Sequence, residues 1–185
     1  MEPSTLTIEE GWVVQARRVP SPNFNQRPEG VQPELLVVHN ISLPPNEFGG
    51  DCIERFFCNC LDHSEHPFFE EIRGVEVSSH LLIKRCGELV QFVNLEERAW
   101  HAGVSCFQGR HNCNDFSIGI ELEGADETPY TDAQYRCLNT VTQALLSHYG
   151  SMSKKAIVGH SDIAPGRKTD PGLAFDWARY LNQIG

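Results

Sequence analysis

Two short apolar runs, LLVV at 35–38 and AIVG at 156–159, each lead directly into a histidine, His39 and His160. A run this short with no polar residue within it reads as a buried strand. Such a strand needs helices to cover it, and the chain supplies them. Residues 132–149 carry Leu138, Val141, Leu145 and Tyr149 as a helical stripe, with Thr131 and Gln134 spaced as a capping box and Gly150 as the stop. Ile53, Phe56, Phe57, Cys60 and Leu61 repeat at helical spacing behind Asp51, a candidate N-cap, and Asp176 precedes a last helix carrying Trp177 and Leu181.

Further strands follow from other patterns. HLLI (80–83) and LVQFV (89–93) flank KRCGE and read as a hairpin turning at Cys86-Gly87. FSIGIEL (116–122) alternates, with Ile118, Ile120 and Leu122 on one face and Ser117, Gly119, Glu121 and Glu123 on the other. Residues 20–34 read as an irregular lead-in. Strands and helices alternate without a regular βαβ rhythm. The expected fold is therefore mixed α/β, a central mixed β-sheet flanked by helices, in a single domain spanning 1–185. A chain of 185 residues with 40 % hydrophobic residues suits one substantial core.

Bulk properties narrow the function. The formal net charge of −10 argues against non-specific nucleic-acid binding and against anionic membranes. No apolar stretch has the length of a membrane span, and the acidic start MEPSTLTIEEGW lacks the pattern of a secretory signal. A cytosolic protein is expected. Its 7 cysteines, odd in number and without a CxxC pair, read as reduced thiols.

A side chain at a strand's end is held by the sheet yet open at its rim, which suits a metal ligand; two hydrogen-bonded or surface histidines are the plain alternative. The loop after His160, GHSDIAPGRKTDPG (159–172), offers Asp162 or Asp170 as a third donor. A His₂-carboxylate zinc site leaves a position open for water, as catalysis requires. Glu121 is either an acidic residue of that site or part of a solvated strand face, and Gly119 beside it leaves room for a close approach. A rival cluster, CNCLDHSEH (58–66), spaces its cysteines too closely for an ordinary structural zinc site, and Cys60 falls on the apolar helix face.

The segments GWVVQARRVPSPN, LLVVHNISLPP with FGG, VSSHLLI, RAWHAGVS, CNDFSIGIELEG, YTDAQY and GHSDIAPGRKTDPG occur in this order between about Gly11 and Trp177. In them the chain resembles the type 2 N-acetylmuramoyl-L-alanine amidases, and within these the cytosolic branch acting on 1,6-anhydro-N-acetylmuramoyl peptides. The resemblance implies the same mixed-sheet fold and one zinc ion per chain held by His39, His160 and Asp170. It implies Glu121 as the acidic catalytic residue and Lys168 as its basic companion. Asn40, Trp100, His101, Ala102 and Asn114 would line the substrate cleft. The family's arginines that grip the stem peptide would fall near Glu76 and Asn112, which are not arginine here, and Arg110 is the candidate substitute. The implied protein is a monomer acting on small soluble anhydromuropeptides. Its role would be cell-wall recycling, with an indirect influence on β-lactamase induction. A peptidoglycan-recognition module that binds without cutting, and a zinc-stapled structural protein, are the other classes. The full set of three ligands with Glu121 and Lys168 favours the enzyme.

Overall fold

The computed structural model describes residues 5–185. Its frame is a sheet of six strands: β1 (Arg17–Arg18), β2 (Leu35–Ile41), β3 (Leu81–Ile83), β4 (Leu89–Gln91), β5 (Ser117–Glu123) and β6 (Ile157–Gly159). They lie in the order β6-β2-β5-β3-β4-β1. β6, β2, β5 and β3 run parallel, while the β3–β4 hairpin turns antiparallel and β1 runs parallel to β4. The sheet is thus mixed, and the hairpin turn falls at Gly87, whose φ of 88° is open to glycine.

The apolar runs are buried because they sit at the centre. Leu35, Leu36, Val37 and Val38 are all fully covered, alternating between two packing layers. Leu36 and Val38 join Ile118, Ile120 and Leu122 of β5 under helix α3 (Asp132–His148) and the last helix, α5 (Trp177–Gln183). Leu35 and Val37 pack the other way, against Ala102, Cys113, Phe116 and Ile163. The face of β5 carrying Ser117, Gly119, Glu121 and Glu123 points to that second side. It is buried throughout, so the solvated strand face is excluded.

α3 forms where its stripe and caps require. Thr131 and Gln134 make the reciprocal capping box, and Leu138, Val141 and Leu145 seat the helix on the sheet. Each of these side chains contributes about 1.5–3 kcal/mol of apolar burial. Asp176 caps α5 by accepting from Arg179 N.

The helix behind Asp51 is shorter than its periodicity suggests. α1 covers Cys52–Phe57, and Asp51 makes no side-chain cap bond. Asn59 adopts φ 58° and turns the chain, with Cys60 N donating to Arg55 O at 2.8 Å, so a left-handed residue ends the helix. Cys60 is consequently exposed rather than on an apolar helix face. A second short helix, α2 (Pro67–Glu71), follows, and the His66 ring caps it by accepting from Phe68 N. The lead-in 20–34 is not wholly irregular: Phe24–Asn25 pairs with Arg98–Ala99.

Candidate metal centre and cleft

Register decides what meets at the sheet's carboxyl edge. β5 and β2 pair with Glu121 opposite His39. β6 pairs Gly159 with Val38, so His160, the next residue, emerges beside His39 and opens the short helix α4 (His160–Ile163). The crevice beyond the carboxyl ends of parallel strands is where open α/β sheets bind ligands.

Two aspartates compete for a place here, and their bonding separates them. Asp162 is exposed and folds back on its own helix, accepting from Gly159 N at 2.7 Å. Asp170 returns to the site because Ser161 N donates to its carbonyl at 3.0 Å. Its Oδ2 lies 3.1 Å from His39 Nδ1 and 3.1 Å from His160 Nδ1, and the two nitrogens are 3.0 Å apart. Three donors facing one another at these separations match ligands sharing one ion at bond lengths of about 2.0–2.2 Å. His39, His160 and Asp170 are the one group of this kind among the described residues.

The electrostatics suit a cation. Burial lowers His39 to about 4, so its ring is neutral at ordinary pH. Burial opposes charge on Asp170, yet the His160 and His39 rings against its carboxylate hold it well below the usual range. Glu121, 8 % exposed, is pushed well above the usual carboxylate range by burial and then by the Asp170 charge, with Lys168 opposing. Its Oε2 is buried with no hydrogen-bond partner. A polar atom left unsatisfied in a packed interior marks a place meant for a ligand or water. Lys168 is exposed and lines the same cleft.

The cleft holds about 240 Å³ and is lined by the three candidate metal donors, Glu121, Lys168, Asn40, Trp100 and His101. Its apolar wall comes from Phe56 and Phe57 of α1 with Ile41 and Val77. These four were not expected at the site, because the phenylalanines carry the helical stripe of ordinary core residues. Trp100 is fixed by its indole nitrogen donating to Asn25 Oδ1 at 2.7 Å.

Three expected cleft residues stand elsewhere. Asn114 is buried behind the cleft, where its Oδ1 accepts from His101 N and Ala102 N. Ala102 is wholly covered and offers its carbonyl to His160 Nε2 at 3.0 Å. Arg110 is ion-paired to Glu34 and stacked 3.9 Å from the Phe116 ring centroid, outside the residues lining the cleft. The rival cysteine-histidine cluster does not assemble. Cys58 contacts Pro20 O, His63 Nδ1 binds Phe69 O, and His66 is the α2 cap.

The donor set and the buried acid describe a centre suited to metal-assisted hydrolysis, and comparison with known proteins defines the class further. The N-acetylmuramoyl-L-alanine amidase family model matches residues 29–173. The 1,6-anhydro-N-acetylmuramyl-L-alanine amidase AmpD of Escherichia coli strain K12 is 59 % identical over 175 residues, covering 95 % of each chain. A crystal structure of a selenomethionine AmpD derivative superposes with a TM-score of 0.94 at 55 % identity, covering 97 % of this chain and 99 % of that one. AmpDh3 of Pseudomonas aeruginosa, solved in complex with an anhydromuramic pentapeptide, has a TM-score of 0.61 at 29 % identity, covering 82 % of this chain and 59 % of the other. This chain belongs to the N-acetylmuramoyl-L-alanine amidase family and is an enzyme of that kind.

Proposed function

We propose that the chain hydrolyses the amide between 1,6-anhydro-N-acetylmuramic acid and the L-alanine of its stem peptide. It does so with one zinc ion held by His39, His160 and Asp170. The observation that carries this reading is the convergence of His39 Nδ1, His160 Nδ1 and Asp170 Oδ2 within 3.0–3.1 Å beside the unpartnered Glu121 Oε2. The anhydro sugar is supported by the high identity to AmpD of E. coli, whose name specifies that substrate.

When bound, zinc supplies a Lewis acid that polarises the scissile carbonyl and eases deprotonation of water. Glu121 takes a proton from the attacking water and returns one to the departing amine. Its raised proton affinity strengthens it as the base of the first transfer. Lys168 brings positive charge to the oxygen that becomes anionic in the tetrahedral state, a contribution of about 2.7–4 kcal/mol for one such donor. Phe56, Phe57 and Trp100 form the wall against which a rigid bicyclic sugar packs. Asn40, which lines the cleft, is held by its Nδ2 donating to Asp126 Oδ1 at 2.8 Å.

The place of action we infer is the cytosol, on soluble recycled wall fragments, with the monomer as the active species. No helix among the described residues is long and apolar enough to cross a membrane. Two substrates test the sugar assignment: the anhydromuramyl-peptide and the ordinary reducing muramyl-peptide, compared by kcat/KM. The anhydro sugar should be preferred by roughly tenfold or more, as one lost contact or one unpaired buried hydroxyl of about 1–3 kcal/mol implies. Equal values would remove the anhydro assignment and leave the amidase.

A further inference from the structure

The dipeptide His101-Ala102 meets both metal-side histidines from behind. His39 Nε2 lies 2.9 Å from His101 Nδ1, and His160 Nε2 lies 3.0 Å from the Ala102 carbonyl. One amide oxygen, Asn114 Oδ1, fixes both backbone nitrogens of the pair, at 3.1 Å and 2.8 Å. We propose that His101, Ala102 and Asn114 are positioning residues for the metal centre: Asn114 anchors the dipeptide, and the dipeptide aims the Nδ1 atoms of His39 and His160 at the ion. This rests on the zinc reading above.

Donor and acceptor bookkeeping carries it. A carbonyl can only accept, so His160 must hold its proton on Nε2, which leaves Nδ1 bare toward Asp170. His39, if it also presents a bare Nδ1, holds its proton on Nε2 and donates to His101 Nδ1. His101 must then be bare at Nδ1 and protonated at Nε2, which faces Ser117 Oγ at 3.0 Å. Every N–H in this chain therefore points away from the metal side, from His39 to His101 to Ser117. A metal-bound histidine ordinarily donates its second nitrogen to a carboxylate, a carbonyl or water, and the partner sets the ring's tautomer and angle. Here one partner is a carbonyl and the other a second imidazole.

The sheet is built to receive that second imidazole. A Cβ on Gly119 would stand 2.5 Å from His101 Cγ, so only glycine admits the ring at this position. Gly119 is itself held, its nitrogen donating to His80 Nδ1 at 3.0 Å and its carbonyl accepting from Ser79 Oγ at 2.7 Å. Ser117 is held by Arg27, which donates to its carbonyl at 2.9 Å. His101 thus braces the centre from a fixed seat, although one edge of its ring also borders the cleft.

The test measures zinc affinity by chelator competition, without substrate, for the wild-type protein and for His101→Leu, His101→Asn and Asn114→Leu. His101→Leu and Asn114→Leu should bind zinc about 10–100-fold more weakly. His101→Asn, whose amide oxygen stands where Nδ1 was, should recover most of the loss. Nitrogen NMR of the zinc-loaded wild-type protein gives an independent reading, needing no variant to fold: His101 should be protonated at Nε2 and bare at Nδ1. Wild-type zinc affinity in His101→Leu with only KM raised would make His101 a substrate contact and overturn the proposal, as would a proton on His101 Nδ1. Failure of the wild-type protein itself to bind zinc would instead overturn the zinc reading on which it rests.

Discussion

Burying Glu121 with one oxygen unpartnered costs free energy, which Lys168 offsets only in part. A strand position filled for stability would carry an apolar side chain, and we propose that the carboxylate is kept for chemistry. Glu121→Gln keeps the shape and removes the base. It should retain zinc and fold, while kcat falls at least about a hundredfold. Lys168→Ala should also keep its zinc and lose rate by about 10²–10³. Zinc content and single-turnover rate, measured on the same samples, check both. Near-normal turnover in Glu121→Gln would return that residue to a purely structural place. His39→Ala, in contrast, should lose metal and activity together, whereas Cys58→Ser with Cys60→Ser should change neither.

At the scale of elements, the loop carrying Lys168 and Asp170 has no regular structure of its own and is held by the turn after β5. Asp126 accepts from Asn40 Nδ2 and from Thr169 Oγ1, its carbonyl accepts from Ala174 N, and Tyr130 donates to Pro171 O at 2.7 Å. Gly172 lies so close that an added Cβ would meet Asp126. Asp126→Ala should therefore loosen the loop and lower kcat/KM about tenfold or more, while costing about 1–3 kcal/mol of stability for the groups left unpaired. A chemical melt and a kinetic comparison measure the two effects. None of this was legible in the sequence, because GADE reads as an ordinary turn until the partner loop folds onto it. The strands were legible for the opposite reason: LLVV and FSIGIEL state their burial in composition and alternation alone. The two histidines could be found because they end such strands. Asp170 could not be separated from Asp162 by spacing, since both lie in one loop and only the Ser161–Asp170 backbone bond decides which returns. The early end of α1 was hidden too, because a left-handed Asn59 interrupts a pattern that would otherwise continue to Leu61.

For the whole molecule, the interior holds histidines that the fold keeps neutral. Burial lowers His39 to about 4 and His80 to about 3, against 6.5 for an ordinary ring. Below about pH 6.5 the unfolded chain binds protons that the folded chain refuses. The histidine contribution to the stability of the metal-free protein should thus be full above that pH, fall as pH drops, and go on falling until these rings protonate near pH 4 and 3, while Glu121, whose proton affinity burial raises, works in the opposite direction. Urea midpoints of Glu121→Gln, which removes the opposing group, should differ between pH 7.5 and 4.5 by the equivalent of a few kcal/mol, about 1.4 kcal/mol for each tenfold change in proton affinity. A flat profile would mean that these rings are already charged in the fold. The measurement that bears most directly on the account is a zinc titration of the metal-free protein, with hydrolysis of an anhydromuramyl-peptide followed by mass spectrometry. The account predicts that rate rises with zinc to one equivalent and then levels, releasing intact anhydromuramic acid and a peptide that begins with L-alanine. Full activity without metal, or cleavage at any other bond, would contradict it.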